Sequence, residues 1–539
     1  MNTTTETKVA TPLLEALKQA VGDAFVLCDE QDRAFYANDV YRAGVAPVAI
    51  VRPGTREETS AVVRLATEAG HSVTVRGGGL SYVDAYFPDR ERTIVLDMRR
   101  LDRIVEINAE DMYVTVEAGC TWEKLYQALK EKGLRVPFYG PSTGRYATIG
   151  GGLSQNSMYN GCGQHGSAPD SVLAIAVVTA DGTLLQTGSS ATPIRPSPFF
   201  RTYGPDLTGL FLADAGALGI KVEATLRLIR YPAAQLGASF AFDDHGAFCR
   251  AMSEIGRENL ASMAFGFDRQ HQEVRMRRIA LSEGAKALTD VISSDRSLLS
   301  GLRKGVSMVR HGRNFLDGVE NSMHVVVEGL TADDAAWRMG EVRRIALGEG
   351  REIASTIAVV SGATPFSEPT SMLGPDGERW VAVQGVAAHS RVVELIDAVR
   401  TYFAANKERM DANRISWSYF TQISGTTGFF VQLSIYWEDK RTVFHENYLG
   451  SQFVANLKTF EENPAARKIV HGMVRDLIDI YVNTGAAHTY IGRMYPYGQT
   501  RLKPTLELLR AIKSHLDPHW RITPGGLSLA EDDVTAADR

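Results

Sequence analysis

Between residues 49 and 230 the chain alternates short apolar runs with amphipathic stretches. Ala49–Arg52 reads as a strand cut off by Pro53-Gly54. Thr55 with Glu58 three positions on makes a capping box, predicting a helix that runs to Ala69 and stops at Gly70. Ser72–Val75 alternates polar and apolar side chains with the period of a strand and delivers the chain into Gly77-Gly78-Gly79. Thr93–Asp97, Tyr113–Glu117, Val172–Thr179 and Lys221–Arg230 are further strands. Thr121 caps a second amphipathic helix, Trp122–Lys132, closed by Gly133.

Past residue 232 the pattern changes. Strands at His324–Glu328, Trp380–Val386 and Phe429–Trp437 are separated by amphipathic helices at Thr331–Leu347 and Arg391–Ala404. That order predicts an antiparallel sheet covered on one face by helices, so the fold class is α+β. The last helix, Pro504–His515, ends at Asp517-Pro518 and leads into Thr523-Pro524-Gly525-Gly526. The expected division is a helical extension over 1–43, a glycine-rich domain over 44–232, a second domain over 233–484 and a closing segment over 485–539.

Composition narrows the classes. The 58 basic and 63 acidic residues of the 539 are spread evenly, net −5, and no basic stripe offers itself to nucleic acid or an anionic membrane. Cys28, Cys120, Cys162 and Cys249 stand far apart, which argues against a disulfide framework or a zinc site. Pro518 breaks the helix that would bring His515 and His519 together, so no metal site is expected. Without a signal-like leader or a long apolar run, the expectation is a cytoplasmic protein free of the membrane. Arg275–Arg278 and Arg343-Arg344 read as solvated faces, and Tyr495-Pro496-Tyr497 and Trp417–Phe420 as packing first, with the lining of an aromatic cavity as the alternative.

The 49 glycines cluster. Arg76-Gly77-Gly78-Gly79-Leu80-Ser81 directly follows a strand. Gly140–Gly144 leads into Thr148-Ile149-Gly150-Gly151-Gly152, and Gly216-Ala217-Leu218-Gly219-Ile220 is the third cluster. Glycine lets backbone approach a ligand closely, and successive free N–H groups make a nest for phosphate oxygens. Neither a GxGxxG opening a helix nor a GxxxxGK[ST] loop is present.

In order, these segments resemble the vanillyl-alcohol oxidase/p-cresol methylhydroxylase (PCMH-type) family of FAD-binding oxidoreductases. The resemblance runs through Ile50–Gly54, Arg76–Ser81, Val95–Asp97, Val116–Gly119, Ala147–Gly152 and Gly204–Phe211, and returns at Leu516–Pro518 and Thr523–Gly525. It implies a PCMH-type FAD-binding domain of two α/β subdomains, and an antiparallel-sheet substrate cap with helices. The cofactor-binding residues it implies are Arg76, Gly77, Gly78, Gly79, Leu80 and Ser81 at the pyrophosphate. Pro141, Ser142, Thr148, Ile149, Gly151, Gly152, Ser154 and Asn156 would lie along ribityl and flavin ring. Gly163, His165 and Gly166 would stand beside that ring, and Gly219 and Ile220 at the adenosine end. The positions at which relatives tether flavin hold Gly79, Tyr146 and Arg379, so a non-covalent FAD is expected.

For catalysis the resemblance implies Tyr82, Tyr490 and Arg493 as a set binding a phenolate. The function expected first is therefore hydride transfer from a small alcohol or 4-substituted phenol to flavin. Tyr139–Ser142 lacks the aspartate of the phenol-oxidising subfamily. His488–Arg493 also resembles the histidine loop of D-2-hydroxy-acid dehydrogenases, with His488 as base. An FAD-containing transferase like alkyl-dihydroxyacetone-phosphate synthase is a further alternative. The partners expected are a small substrate, an electron acceptor (O2 or a carrier) and further copies of the chain.

Overall fold

A computed structural model of the chain describes residues 11–278 and 318–529. The strands Val26–Leu27, Ala49–Val51, Thr93–Asp97 and Ser72–Arg76 form a first sheet in that spatial order, its last three strands parallel. The Thr55 hydroxyl accepts from Glu58 N–H at 3.0 Å, and the Glu58 carboxylate turns back onto Gly54 N–H at 2.7 Å. These bonds start the helix Arg56–Glu68, which buries Val62, Val63 and Ala66 against the sheet. The segment before residue 43 is not purely helical, because Val26–Leu27 pairs with Ile50 and Val51.

A second, antiparallel sheet has the order Ile104–Asn108, Tyr113–Glu117, Ile220–Arg227, Val172–Val178, Leu184–Gln186. The run expected as one strand to Arg230 breaks at Leu228, whose N–H donates to Met112 C=O at 2.7 Å. Ile229–Arg230 then pairs with Leu134–Arg135 instead. The helix capped by Thr121 ends at Lys130, two residues earlier than its amphipathic pattern suggests.

The third sheet has seven antiparallel strands, in the order Arg351–Ile353, Ala234–Phe242, Asn321–Gly329, Met263–Asp268, Ile415–Ser424, Gly428–Trp437, Arg379–Ala388. The helices His245–Arg257, Ala332–Leu347, Val392–Ala405 and Pro464–Asn483 share an apolar core with one face of it. Along Gly428–Trp437 the apolar set Val431, Leu433 and Ile435 belongs to that core. The period of two sends Phe430, Gln432, Ser434 and Tyr436 to the other face, where all four line a cavity.

The C-terminal stretch returns to the first sheet. Val73 donates to Arg521 C=O and accepts from Thr523 N–H, both at 2.7 Å. The buried Lys513 ammonium fastens it further, donating to Ala217 C=O at 2.7 Å, Ile522 C=O at 2.9 Å and the Asp517 carboxylate at 2.6 Å. No described helix is long and apolar enough to cross a membrane.

Among the described residues a buried ion pair, Arg135–Glu328, crosses between the glycine-rich part and the seven-stranded sheet. Arg135 meets Glu328 through two bonds of 2.6 and 2.8 Å, with side chains only 3% and 6% exposed. Replacing one partner leaves a buried charge alone, which costs about 3–5 kcal/mol. Glu328→Gln is expected to lower unfolding stability by that amount in denaturant titration, and Arg135→Met/Glu328→Leu to regain most of it. A loss below about 1 kcal/mol, the range of exposed pairs, would contradict this role.

Candidate active site

A cavity of about 700 Å³ lies against the open face of the seven-stranded sheet. Its floor comes from the glycine-rich segments, residues 77–81, 141–143, 147, 148, 150–152, 215, 216 and 219–221, and its roof from strands of the sheet.

The turn after strand Ser72–Arg76 has its carbonyls turned outward. Tyr448 donates to Gly78 C=O at 2.5 Å, and Tyr86 donates to Gly79 C=O at 2.7 Å and Ser81 C=O at 3.0 Å. The amides of residues 77–81 make no hydrogen bond to any other described residue. Space excludes side chains here: a Cβ on Gly77 would stand 2.2 Å from Thr148 Oγ1, and one on Gly78 2.1 Å from Tyr146 C=O. Gly79 has φ +71°, in the left-handed region. Arg76, expected at the ligand, does not line the cavity. Its guanidinium lies 4.7 Å from the Phe35 and Tyr36 rings and 4.9 Å from Tyr86, bracing the turn from behind.

Thr148 caps the short helix Ile149–Ser154, its hydroxyl accepting from Gly151 N–H at 3.3 Å. Pro141, Ser142, Thr148, Gly151, Gly152, Ser154, Gly219 and Ile220 line the cavity, as do Gly77–Ser81. Other positions expected at the cofactor do not. Ile149 is fully buried in the core below, and Asn156 turns the chain at φ +55°. Gly163 is held away by Ser262, accepting its N–H at 3.0 Å, and Gly166 packs on the Asp170 carboxylate. His165 sits beside Arg135, where burial and that guanidinium push its imidazole down to about 4. The Cys162 thiol is likewise enclosed, accepting from Gln422 Nε2 at 2.9 Å.

This floor fits a dinucleotide. A pyrophosphate would meet unpaired amides, and the buried Ser81 Oγ and Gln155 Oε1, both facing the cavity, have no hydrogen-bond partner among the described residues.

At the roof, the expected catalytic residues separate. Tyr82 and Tyr490 line the cavity; His488 and Arg493 do not. Tyr82 donates its proton to Gln384 Oε1 and packs edge-on against Trp380 at 4.8 Å. Tyr490, at φ +53°, clamps the turn below, its N–H on Gln155 C=O at 3.0 Å and its hydroxyl accepting from Met158 N–H at 3.2 Å. Burial pushes that hydroxyl up to about 12. His488 lies behind the strand Arg379–Ala388, its Nδ1 donating to Gln384 C=O at 2.8 Å and its ring stacked on Tyr495 at 4.1 Å. Burial pushes His488 down to about 4, so it packs as a neutral ring. Arg493 donates to Phe87 C=O at 2.9 Å and faces Asp89 at 3.7 Å.

Two side chains missed in the sequence take their place. His271 and Arg275 lie four residues apart on one face of the helix Arg269–Arg278, and both line the cavity. His271 Nδ1 is 3.1 Å from the Ser418 hydroxyl, and its ring stacks on Phe267 at 4.9 Å. Arg275, read above as solvated, lies 4.9 Å over the Phe267 ring and lines the cavity; the side chains of 276–278 lie outside the described residues. Among the described residues three cations line the cavity, Arg145, Lys221 and Arg275. Arg145 is bonded to Glu368 at 2.6 Å and Glu123 at 3.2 Å, and Lys221 to Asp214 at 2.6 Å. Arg275 has no carboxylate partner among the described residues.

Residues 47–188 match the family described as FAD binding domain. Glycolate oxidase subunit GlcD of Bacillus subtilis (strain 168) is 25% identical over 333 residues, 61% of this chain and 67% of that protein. D-2-hydroxyglutarate dehydrogenase of Xanthomonas citri pv. viticola is 32% identical over 222 residues, 41% of this chain and less than half, 45%, of that protein. Among solved structures, p-cresol methylhydroxylase with substrate bound aligns with a TM-score of 0.72 at 16% identity, covering 96% of each chain.

The cradle makes a direct prediction. Gly78→Ala drives a methyl group into Tyr146 C=O, and the purified variant is expected to hold FAD at least roughly tenfold more weakly, about 1.4 kcal/mol. Flavin absorbance per chain measures this; full occupancy with an unchanged dissociation constant would contradict the close approach.

Proposed function

We propose that this chain, whose residues 47–188 match the FAD binding domain family and whose fold is shared with p-cresol methylhydroxylase, is an FAD-dependent oxidoreductase that oxidises the hydroxyl of a small 2-hydroxy carboxylate to the corresponding 2-oxo acid. Arg275 carries this reading. It is the one cavity-lining cation among the described residues without a carboxylate partner, and a guanidinium is matched to a substrate carboxylate by its paired donors. The hydroxy-acid enzymes among the relatives favour the same class.

The amides of residues 77–81, with Ser81, Thr148, Gly150, Gly151, Gly152, Ser154, Gln155, Gly219 and Ile220, would hold FAD, dissociably. When bound, FAD supplies the acceptor for the hydride leaving the carbinol carbon. Arg275 anchors the carboxylate and so fixes which face of that carbon is presented. His271, oriented through Ser418 and placed beside Arg275, takes the hydroxyl proton. The sheet above and the loop carrying Phe366 wall the site where the proton moves. Phenol oxidation is a second reading, favoured by Tyr82 and Tyr490 in the lining. It is disfavoured because Tyr82 already donates to Gln384 and Arg493 faces away from the cavity.

Anaerobic mixing tests both. 2-Hydroxy monocarboxylates are expected to bleach the flavin band, whereas bleaching by 4-alkylphenols alone would replace this reading with the second. Arg275→Met is expected to lower kcat/KM for the hydroxy acid by at least roughly a hundredfold, about 2.7 kcal/mol. Acid precipitation is expected to release yellow flavin into the supernatant; colour kept in the pellet would mean a covalent link.

A further inference from the structure

The cap side of the cavity is walled by rings. Phe420, Phe430, Tyr436 and Trp380 come from three adjacent strands, and Tyr159 and Phe366 close the sides. Register explains the grouping: Trp380 stands opposite Tyr436, and Gln422 opposite Phe430. Phe420 is the hub, its ring 6.1 Å from Tyr159, 6.2 Å from Phe430 and 6.2 Å from His271. The aromatic wall therefore begins beside the His271–Arg275 pair.

Charge narrows the choice further. Arg145 and Lys221 are each spent on a carboxylate of the protein, which leaves Arg275 as the one cavity-lining cation for substrate among the described residues. A second substrate carboxylate would be desolvated without a partner. Shape acts in the same direction. A hydrogen or methyl substituent leaves ring faces without contacts, whereas an aryl group meets them edge-on or offset.

Resting on the reading of the site as a 2-hydroxy-acid oxidising centre, we infer that its donor is a monocarboxylate with an aromatic substituent, a 3-aryl-lactate or aryl-glycolate. Lactate, glycolate and the dicarboxylate 2-hydroxyglutarate are poor donors. Phe420 is the specificity-determining ring, and Arg275 sets the limit of one carboxylate.

The test uses the purified holoenzyme. Anaerobic stopped-flow reduction of its flavin band is recorded with the enantiomers of 3-phenyllactate, lactate and 2-hydroxyglutarate, and with 4-ethylphenol. The better 3-phenyllactate enantiomer is expected to reduce the flavin with a second-order rate constant at least roughly tenfold above lactate, with 2-hydroxyglutarate slowest. Lactate or 2-hydroxyglutarate matching or exceeding phenyllactate overturns the aromatic inference and leaves the 2-hydroxy-acid reading standing. Reduction by 4-ethylphenol and by no hydroxy acid overturns both. Phe420→Leu, which keeps the wall apolar, is expected to cut the phenyllactate-to-lactate ratio at least roughly fivefold. A second readout needs no turnover: perturbation of the oxidised flavin spectrum by 3-phenylpropionate at concentrations at least roughly tenfold below propionate. Equal affinity for the two acids, or an unchanged ratio in Phe420→Leu, removes the rings from substrate selection.

Discussion

A dinucleotide brings two phosphate charges, and here they must be met where the nearby cations are already engaged. Lys221 is bound to Asp214 and Arg145 to Glu368, so the counter-charge must come from oriented backbone amides. Amides serve only if their carbonyls are held elsewhere and nothing larger than hydrogen stands at Cα. Tyr86 and Tyr448 meet the first condition, and the 2.1–2.2 Å approaches at Gly77 and Gly78 meet the second. Much of the architecture serves that turn. Strand Ser72–Arg76 aims it, the Arg76 guanidinium among aromatic rings backs it, and the C-terminal stretch bonds Val73 just before it.

The seven-stranded sheet answers a different requirement. A sheet packed by helices on one face gives its other face away at every second residue, and Phe430, Gln432, Ser434 and Tyr436 are what it presents. The Arg135–Glu328 pair holds this sheet against the glycine-rich part, so roof and floor keep a defined separation. In the proposed site the glycine-rich half would meet its ligand through backbone and the sheet half through side chains. This division explains why cofactor and substrate differ so much in how visible they are in the chain.

Glycine clusters are a direct trace of backbone chemistry, and the floor was legible. Gly77–Ser81, Pro141, Ser142, Thr148, Gly151, Gly152, Ser154, Gly219 and Ile220 all face the cavity. So were the capped helix after Thr55 and the antiparallel sheet with one covered face. Ile149 and Asn156 were misplaced because neighbours on a short helix and turn point in opposite directions. His488 and Arg493 failed for a related reason: a loop carries no period to say which side chain turns inward. His488 is drawn behind the sheet by Gln384 C=O and Tyr495, and Arg493 by Phe87 C=O. Arg275 was hidden by its setting, since a run of arginines ordinarily marks a solvated face. The available signal was the four-residue spacing from His271, which puts both on one side of a helix.

The position of that helix has a chemical consequence. Asp268 accepts from His271 N–H at 2.9 Å and from Tyr419 N–H at 3.2 Å, tying the start of the helix to strand Ile415–Ser424. Ser418, on the same strand, holds the His271 ring, and Phe420, two residues further, faces the cavity beside it. The proposed proton acceptor, the proposed carboxylate anchor and the aromatic wall are thus registered by one strand and the helix fastened to it. A change in how that helix seats would move all three together. Selectivity and rate should therefore vary jointly among variants of Ile415–Ser424, whereas variants of the glycine floor should alter flavin retention first.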